Sequence, residues 1–246
     1  MQNPLILADY QNPIVEETAT RLTSGEKNVR DKLHRIFDYV RDDIVFAFPD
    51  EGDLVKASET IQKGFGQCNT KATLFLALCK AAGIPSRIHY SLISRDIQKG
   101  FFTGIAYWAM PKEISHSWIE VEVDEKWRRI DTFINDLPLF NAAIAELGER
   151  GWSVGYSVAL GKNKPSGELN LDKEAFQQMA AVTSDHGVWD EPADYFSSKK
   201  YKNRPGAFKL WLYRRMIGNI NNRVRAMRNK VPMKDLASKS SQRVGQ

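Results

Sequence analysis

Residues 63–87 read KGFGQCNTKATLFLALCKAAGIPSR, and no other stretch limits the fold so firmly. From about Cys68 to Ala82 the apolar positions, among them Leu74, Phe75, Leu76 and Leu78, fall on nearly every side of a helix. A helix that is apolar all round has no face to give to water, so it must be the buried central helix of its domain. Gly83 supplies the stop and Pro85 follows two residues later, the usual punctuation of a helix end.

Both cysteines of the chain, Cys68 and Cys79, lie on this helix. Eleven residues separate them by roughly 16 Å along the axis, beyond the ~7 Å Cα limit of a disulfide. Each thiol therefore needs its own account. Cys79 is core filler, since free cysteine is among the most buried residue types. Cys68 sits where the turn Gly64-Phe65-Gly66 feeds the first helical turn, and unpaired N–H groups and the positive dipole end converge there. That position favours thiolate over thiol and offers donors to an oxyanion, the two needs of acyl transfer by a cysteine.

The rest of the chain supplies a sheet and further helices. Residues 14–24 and 27–43 have helical spacing, with Val29, Leu33, Ile36, Phe37 and Val40 on one stripe of the second. A short extended piece at 44–48 and a short helix at 57–64 precede the glycines. A strand is expected at 86–94, then two strands, SHSWIEVEV and KWRRIDTF, joined as a hairpin through Asp124–Glu125. Helices are expected near 138–147, near 172–182 and over the basic stretch that begins at about 206. Residues 184–196 read as loop with short helical turns, and residues 231–246 as a frayed tail.

A thiolate site needs a base, and there are four histidines. His34 lies among charges on an N-terminal helix and reads as a surface residue. His89, within a strand, reads as a hydrogen-bonded core histidine, and His186 falls in the irregular region. His116 opens a strand. With a turn at Asp124–Glu125, cross-strand residue numbers sum to about 249, so Trp118 faces Asp131 and Asp131 is a diagonal neighbour of His116. The spacing thus permits a carboxylate to orient the imidazole.

At these residues the chain resembles the transglutaminase-like superfamily, whose fold is related to the papain-like cysteine proteases, and in particular a bacterial-type single-domain member. The likeness runs through GQCNTKATLFLALCKAAGIPSR, where the family has a Gly-x-Cys helix start and an A-x-G-I-P-A-R end. It continues through SHSWIEVEVDEKWRRIDTF, where the family has H-x-W-x-E-V, a turn, a Trp and D-x-T/P. It covers about residues 30–135. GIPSR for GIPAR and the DTF ending are departures outside the three chemical positions. The resemblance implies Cys68 as nucleophile, His116 as general acid and base, and Asp131 as the group that orients His116. It implies an α+β fold in which a central Cys-bearing helix packs on an antiparallel sheet, with a helical N-terminal part and a C-terminal extension.

Neighbouring chemistries are set aside by residues. Phe65-Gly66-Gln67 stands where arylamine N-acetyltransferases have Arg-Gly-Gly, and two cysteines cannot form the paired C-x-x-C zinc motifs of peptide N-glycanases. No cofactor or metal is expected. The reading is thiol-dependent acyl transfer on an amide or peptide bond, most simply hydrolysis, with a crosslinking transglutaminase or a non-catalytic binding module as the alternatives.

Three regions follow: a catalytic core at 1–135, an extension at 136–205 that walls the cleft, and a basic amphipathic helix and tail at 206–246. Residues 197–246 carry 14 Lys and Arg against one acid, Asp235, so the net charge of +5 hides an acidic remainder. A stripe of Trp211, Leu212, Met216 and Ile220 is expected to pack on the core while Arg214, Arg215, Arg223 and Arg225 stay solvated. Contact with an anionic surface is the functional reading of that charge, and nucleic acid is not expected because no recognition motif accompanies it. No apolar run approaches ~18 residues, and the N-terminus lacks a basic then apolar leader, so a cytoplasmic location is expected.

Overall fold

The computed structural model describes residues 5–162 and 164–230, so the expected tail at 231–246 lies outside the described residues. The N-terminal part holds α1 (Pro13–Thr23), α2 (Val29–Asp38), β1 (Val45–Phe46), α3 (Ala57–Lys63) and β2 (Phe65–Gly66). The central helix is α4 (Cys68–Ala81), followed by β3 (Ser86–Ser94), α5 (Gly104–Trp108), β4 (Glu113–Val123) and β5 (Lys126–Ile130). Beyond these come α6 (Leu137–Arg150), the short pair β6 (Val154–Gly155) and β7 (Val158–Ala159), β8 (Val182–Trp189), α7 (Pro192–Ser197) and α8 (Ala207–Arg228).

Every residue of α4 from Cys68 to Cys79 is buried, as its composition demands. The polar ones are paired, which burial requires. Thr73 Oγ1 donates to the Asn69 carbonyl, and Lys71 Nζ donates to the Arg41 carbonyl at 3.1 Å. Burial pushes the Lys71 ammonium down to about 7, against the pull of Asp136 and Asp42. At the helix start, Thr70 Oγ1 accepts from the Gln67 N–H at 2.9 Å. A Cβ on Gly66 would lie 2.5 Å from that same oxygen, so only glycine lets the chain enter α4 this tightly. At the far end Gly83 takes φ +69° and the Ile84 N–H caps the Cys79 carbonyl at 2.8 Å.

The main sheet is four-stranded and antiparallel in the order β5-β4-β3-β8. Asp124 and Glu125, with φ of 52° and 61°, form the β4–β5 turn, and Val123 pairs Lys126 through to Ile119 with Ile130. That is the expected register. Three elements differ from expectation. No helix forms at 172–178, where a 3-10 turn at Met179–Ala181 leads into β8. β8 itself, in a region read as loop, pairs with β3 and puts His186 in a strand. α2 also ends early, closing in a π-helical turn at Tyr39–Asp43.

One apolar core joins the N-terminal helices, α4, the sheet, α6 and α8, from Leu7 to Met227. The extension after β5 is therefore built into the same core. α8 packs through Ile217, Ile220, Val224 and Met227, with Tyr213 and Met216 half-buried. Trp211 and Leu212, expected in the packed stripe, are exposed. Their positions turn away from the core because Tyr213 and Ile217 take the inward angle of the helix. Among the described residues no helix is long and apolar enough to cross a membrane.

Candidate active site

The start of α4 is fixed against β4 by one side chain. Asn69 Nδ2 donates to the Ser115 carbonyl and to Ser115 Oγ at 3.3–3.4 Å, and Ser117 Oγ donates to Asn69 Oδ1 at 2.9 Å. Ser115 and Ser117 thus face α4. β5 stops opposite Ile119, so the edge of β4 beyond that point has no strand partner on this side. The Cys68 sulfur occupies this edge, where the N–H groups of Asn69, Ser117 and Cys68 itself act on it.

Cys68 is 5% exposed. Burial, with the neighbouring Asp53 carboxylate adding to it, pushes the thiol up to about 12 against the three N–H groups. The sequence expectation of a thiolate at the helix start is corrected here. In this closed arrangement desolvation outweighs the N–H groups and dipole, and the resting group is a thiol. Cys79 is fully buried, and burial alone raises its thiol, as the filler reading requires.

His116 is fully buried, and burial alone lowers its imidazole to about 3. Neither ring nitrogen has a hydrogen-bond partner among the described residues. Side chains alternate along a strand, so His116 belongs with Trp118 and Glu120 on the face turned away from Ser115, Ser117 and α4. Its ring centroid lies 6.0 Å from that of Trp118. The other side of Trp118 stacks on His89 at 4.2 Å and 20°. His89 holds Glu120 at 2.7 Å and Asp185 at 2.6 Å, one carboxylate per ring nitrogen. Burial alone would lower the His89 imidazole, but these two carboxylates outweigh it and raise it. His34 is exposed, and His186 Nδ1 meets the Tyr195 hydroxyl at 3.0 Å.

Asp131 is the first residue after β5 and is fully buried. Its carboxylate accepts from the Gln177 N–H and the Gln178 N–H, each at 2.8 Å. Burial raises it to about 7 despite those bonds. The expected hydrogen bond from Asp131 to His116 is not made. The carboxylate is occupied by a strap from the extension, itself tied down where Gln177 Nε2 donates to the Thr132 carbonyl and Gln178 Nε2 to the Ser157 carbonyl. Cys68, His116 and Asp131 border one strand edge, but no hydrogen bond joins them.

Several residues with a stake in this site carried no signal in the sequence. Asp53 accepts from Gln67 Nε2, from Asn69 Nδ2 at 2.9 Å and from the Tyr201 hydroxyl at 2.9 Å. Burial raises its carboxyl, and those three bonds oppose the rise. Gln67 and Asn69 flank Cys68 and could have been suspected on adjacency alone. Asp53 and Tyr201 could not, because they stand 148 positions apart. Among the described residues no group of three or more His, Cys, Asp or Glu could hold a metal ion.

Residues 16–132 match the transglutaminase-like superfamily core, and this part of the chain is a transglutaminase-like domain. The matched segment runs from α1 to the residue after Asp131 and so contains Cys68 and His116 as well. No curated protein matches the sequence. Among solved structures, a candidate cysteine protease from Cytophaga hutchinsonii is 14% identical with a TM-score of 0.45, over 79% of this chain and 46% of that one. A candidate protease from Parabacteroides distasonis is 19% identical with a TM-score of 0.38, over 50% and 24%. The chain spans less than half the length of either.

Proposed function

We propose that the protein is a thiol-dependent acyl-transfer enzyme that hydrolyses an amide or peptide bond through a thioester on Cys68. The observation that carries this reading is the place of Cys68 as the first residue of α4, among the unpaired N–H groups of a helix start that the Asn69 bonds to Ser115 and Ser117 hold against β4. Such donors stabilise negative charge on the sulfur, and when a carbonyl is attacked there they can receive its oxygen. Membership of residues 16–132 in the superfamily supports the same chemistry.

The steps balance with these residues alone. Once its ring turns round the β4 edge to the sulfur, a neutral His116 accepts the Cys68 thiol proton as the sulfur bonds to the carbonyl carbon and the carbonyl π pair moves to oxygen. The pair returns, the carbon–nitrogen bond breaks, and the leaving amine takes the proton from His116. Water then attacks the thioester, gives its proton to His116, and the carboxylic acid departs as the sulfur recovers a proton. Asp131 would hold the imidazole in the tautomer this needs once its carboxylate leaves the Gln177 and Gln178 N–H groups. An amine in place of water would make the same intermediate a transamidation.

One set of observations favours a non-catalytic binding module instead: the three residues are buried, and Asp131 is engaged elsewhere. Intact-mass measurement after exposure to a panel of activated acyl esters and amides separates the readings. An adduct on wild type that is absent in Cys68→Ala, and slowed about 10³-fold or more in Asp131→Asn, supports the enzyme. A wild type that never accumulates an adduct on Cys68 overturns it. Competing the thioester with a primary amine then divides hydrolysis from transamidation.

A further inference from the structure

α8 carries two apolar stripes, and only one is used inside the molecule. Tyr213, Met216, Ile217, Ile220, Val224 and Met227 form the inward stripe. Phe208, Trp211 and Leu212 form the other, at the i, i+3 and i+4 spacing of a single face, about 130° round the helix from the first at 100° per residue. They are 72%, 52% and 38% exposed. The Phe208 and Trp211 rings stack on each other at 5.9 Å and 23°, so the two present one apolar surface. Arg215, one turn further on the same face, lies over Trp211 at 5.0 Å.

The charge along this stretch of the sequence is of one sign. Residues 197–230 contain eleven Lys and Arg and no Asp or Glu. Several of these cations are used within the fold, as Arg228 is by Asp136 and Lys230 by Glu146. Lys199, Lys202, Lys209 and Arg215 are exposed and lie on or next to the start of α8. Asp50 and Glu51 lie by Arg214 and Tyr213, and the Glu113 backbone lies by Asn203, ahead of α8.

We propose that the first half of α8 docks the protein on an anionic lipid bilayer, with Phe208, Trp211 and Leu212 in the headgroup layer and Lys199, Lys202, Lys209 and Arg215 on the anionic headgroups. Aromatic side chains beside Lys and Arg are the composition that interfacial helices use. Residues 1–196 carry 21 Lys and Arg against 29 acids, so an anionic surface repels the body while it attracts this end. The protein therefore docks end-on, with the catalytic domain held off the surface. Nucleic acid fits the charge but not the apolar face. Leu212 offers nothing to a base, and Phe208 and Trp211 are spent on each other rather than open to successive bases.

The test is co-sedimentation of the full chain with phosphatidylcholine vesicles, with and without about 30 mol % phosphatidylserine, at two salt concentrations. Wild type should bind the anionic vesicles at least about tenfold more tightly than the neutral ones, and less tightly at high salt. Phe208→Ser with Trp211→Ser should weaken binding about tenfold or more, and so should Lys209→Glu with Arg215→Glu. All four side chains are exposed, so these variants should keep the wild-type melting curve. The conservative Trp211→Phe should retain binding and lose the part of the blue shift in tryptophan emission that vesicles cause in wild type. Three results would overturn the proposal. These are no sedimentation with anionic vesicles, binding indifferent to Phe208 and Trp211, or a concentration-dependent dimer that the Phe208/Trp211 pair controls in the absence of lipid.

Discussion

Alkylation of Cys68 by iodoacetamide should rise about tenfold per pH unit across the neutral range, with no plateau. The cause is the buried thiol, held up at about 12 by desolvation and by Asp53, from an ordinary value of 9.0. At a given pH below that range, Cys68 holds ~10³-fold less thiolate than an unperturbed cysteine. The more basic thiolate is the better nucleophile, which returns a factor of about 20 at a Brønsted slope of 0.4–0.5. The net expectation is labelling ~50-fold slower than a free thiol, before the 5% exposure of Cys68 adds its own barrier. Asp53→Asn removes the like charge and should speed labelling several-fold. Cys79 should react last, since it is fully buried and no N–H groups offset its burial. Timed quenching and peptide mass mapping at successive pH values give both rates. A flat rate between about pH 6 and 8 would mean a thiolate–imidazolium pair already exists at rest, and the argument from burial would fail. Faster labelling of Cys79 would reverse the roles of the two thiols.

Two further outcomes follow from the same site. Asp131 is raised to about 7 from 3.8, so its contribution to stability is present below about pH 4 and is lost as pH rises towards 7. His116 is lowered to about 3 from 6.5, so its contribution is present above about 6.5 and is lost as pH falls towards 3. The two slopes oppose each other between about pH 4 and 6.5. Relative to wild type, His116→Gln should therefore lose stability with rising pH across that window, and Asp131→Asn should gain it. Urea melts that stay parallel for all three proteins would count against the buried states assigned to both groups. Gly66→Ala places a Cβ 2.5 Å from Thr70 Oγ1 and should destabilise by about 1–3 kcal/mol. An unchanged urea midpoint would show that α4 can shift at its start without cost.

What was written in the sequence is local and periodic. A helix apolar on nearly every side made α4 central, and Gly83 set its end. The two-residue turn at Asp124–Glu125 fixed the β4–β5 register, because a strand has a period of two and a hairpin has little slack. Motifs in register named Cys68, His116 and Asp131. The sequence could not show how the buried groups would be satisfied. Residues near 172–182 have helix-forming composition, but the Gln177 and Gln178 N–H groups are taken by Asp131, and a helix there would have to give those bonds up. β8 was invisible for a related reason. It is a polar edge strand whose alternation is weak, and its existence depends on pairing with β3, about 95 residues earlier. The inward face of α8 was decided by which stripe found a core to fill. The state of the thiol followed the same rule, since a helix start favours the anion only while water or charge can reach it, and tertiary packing leaves Cys68 only 5% exposed.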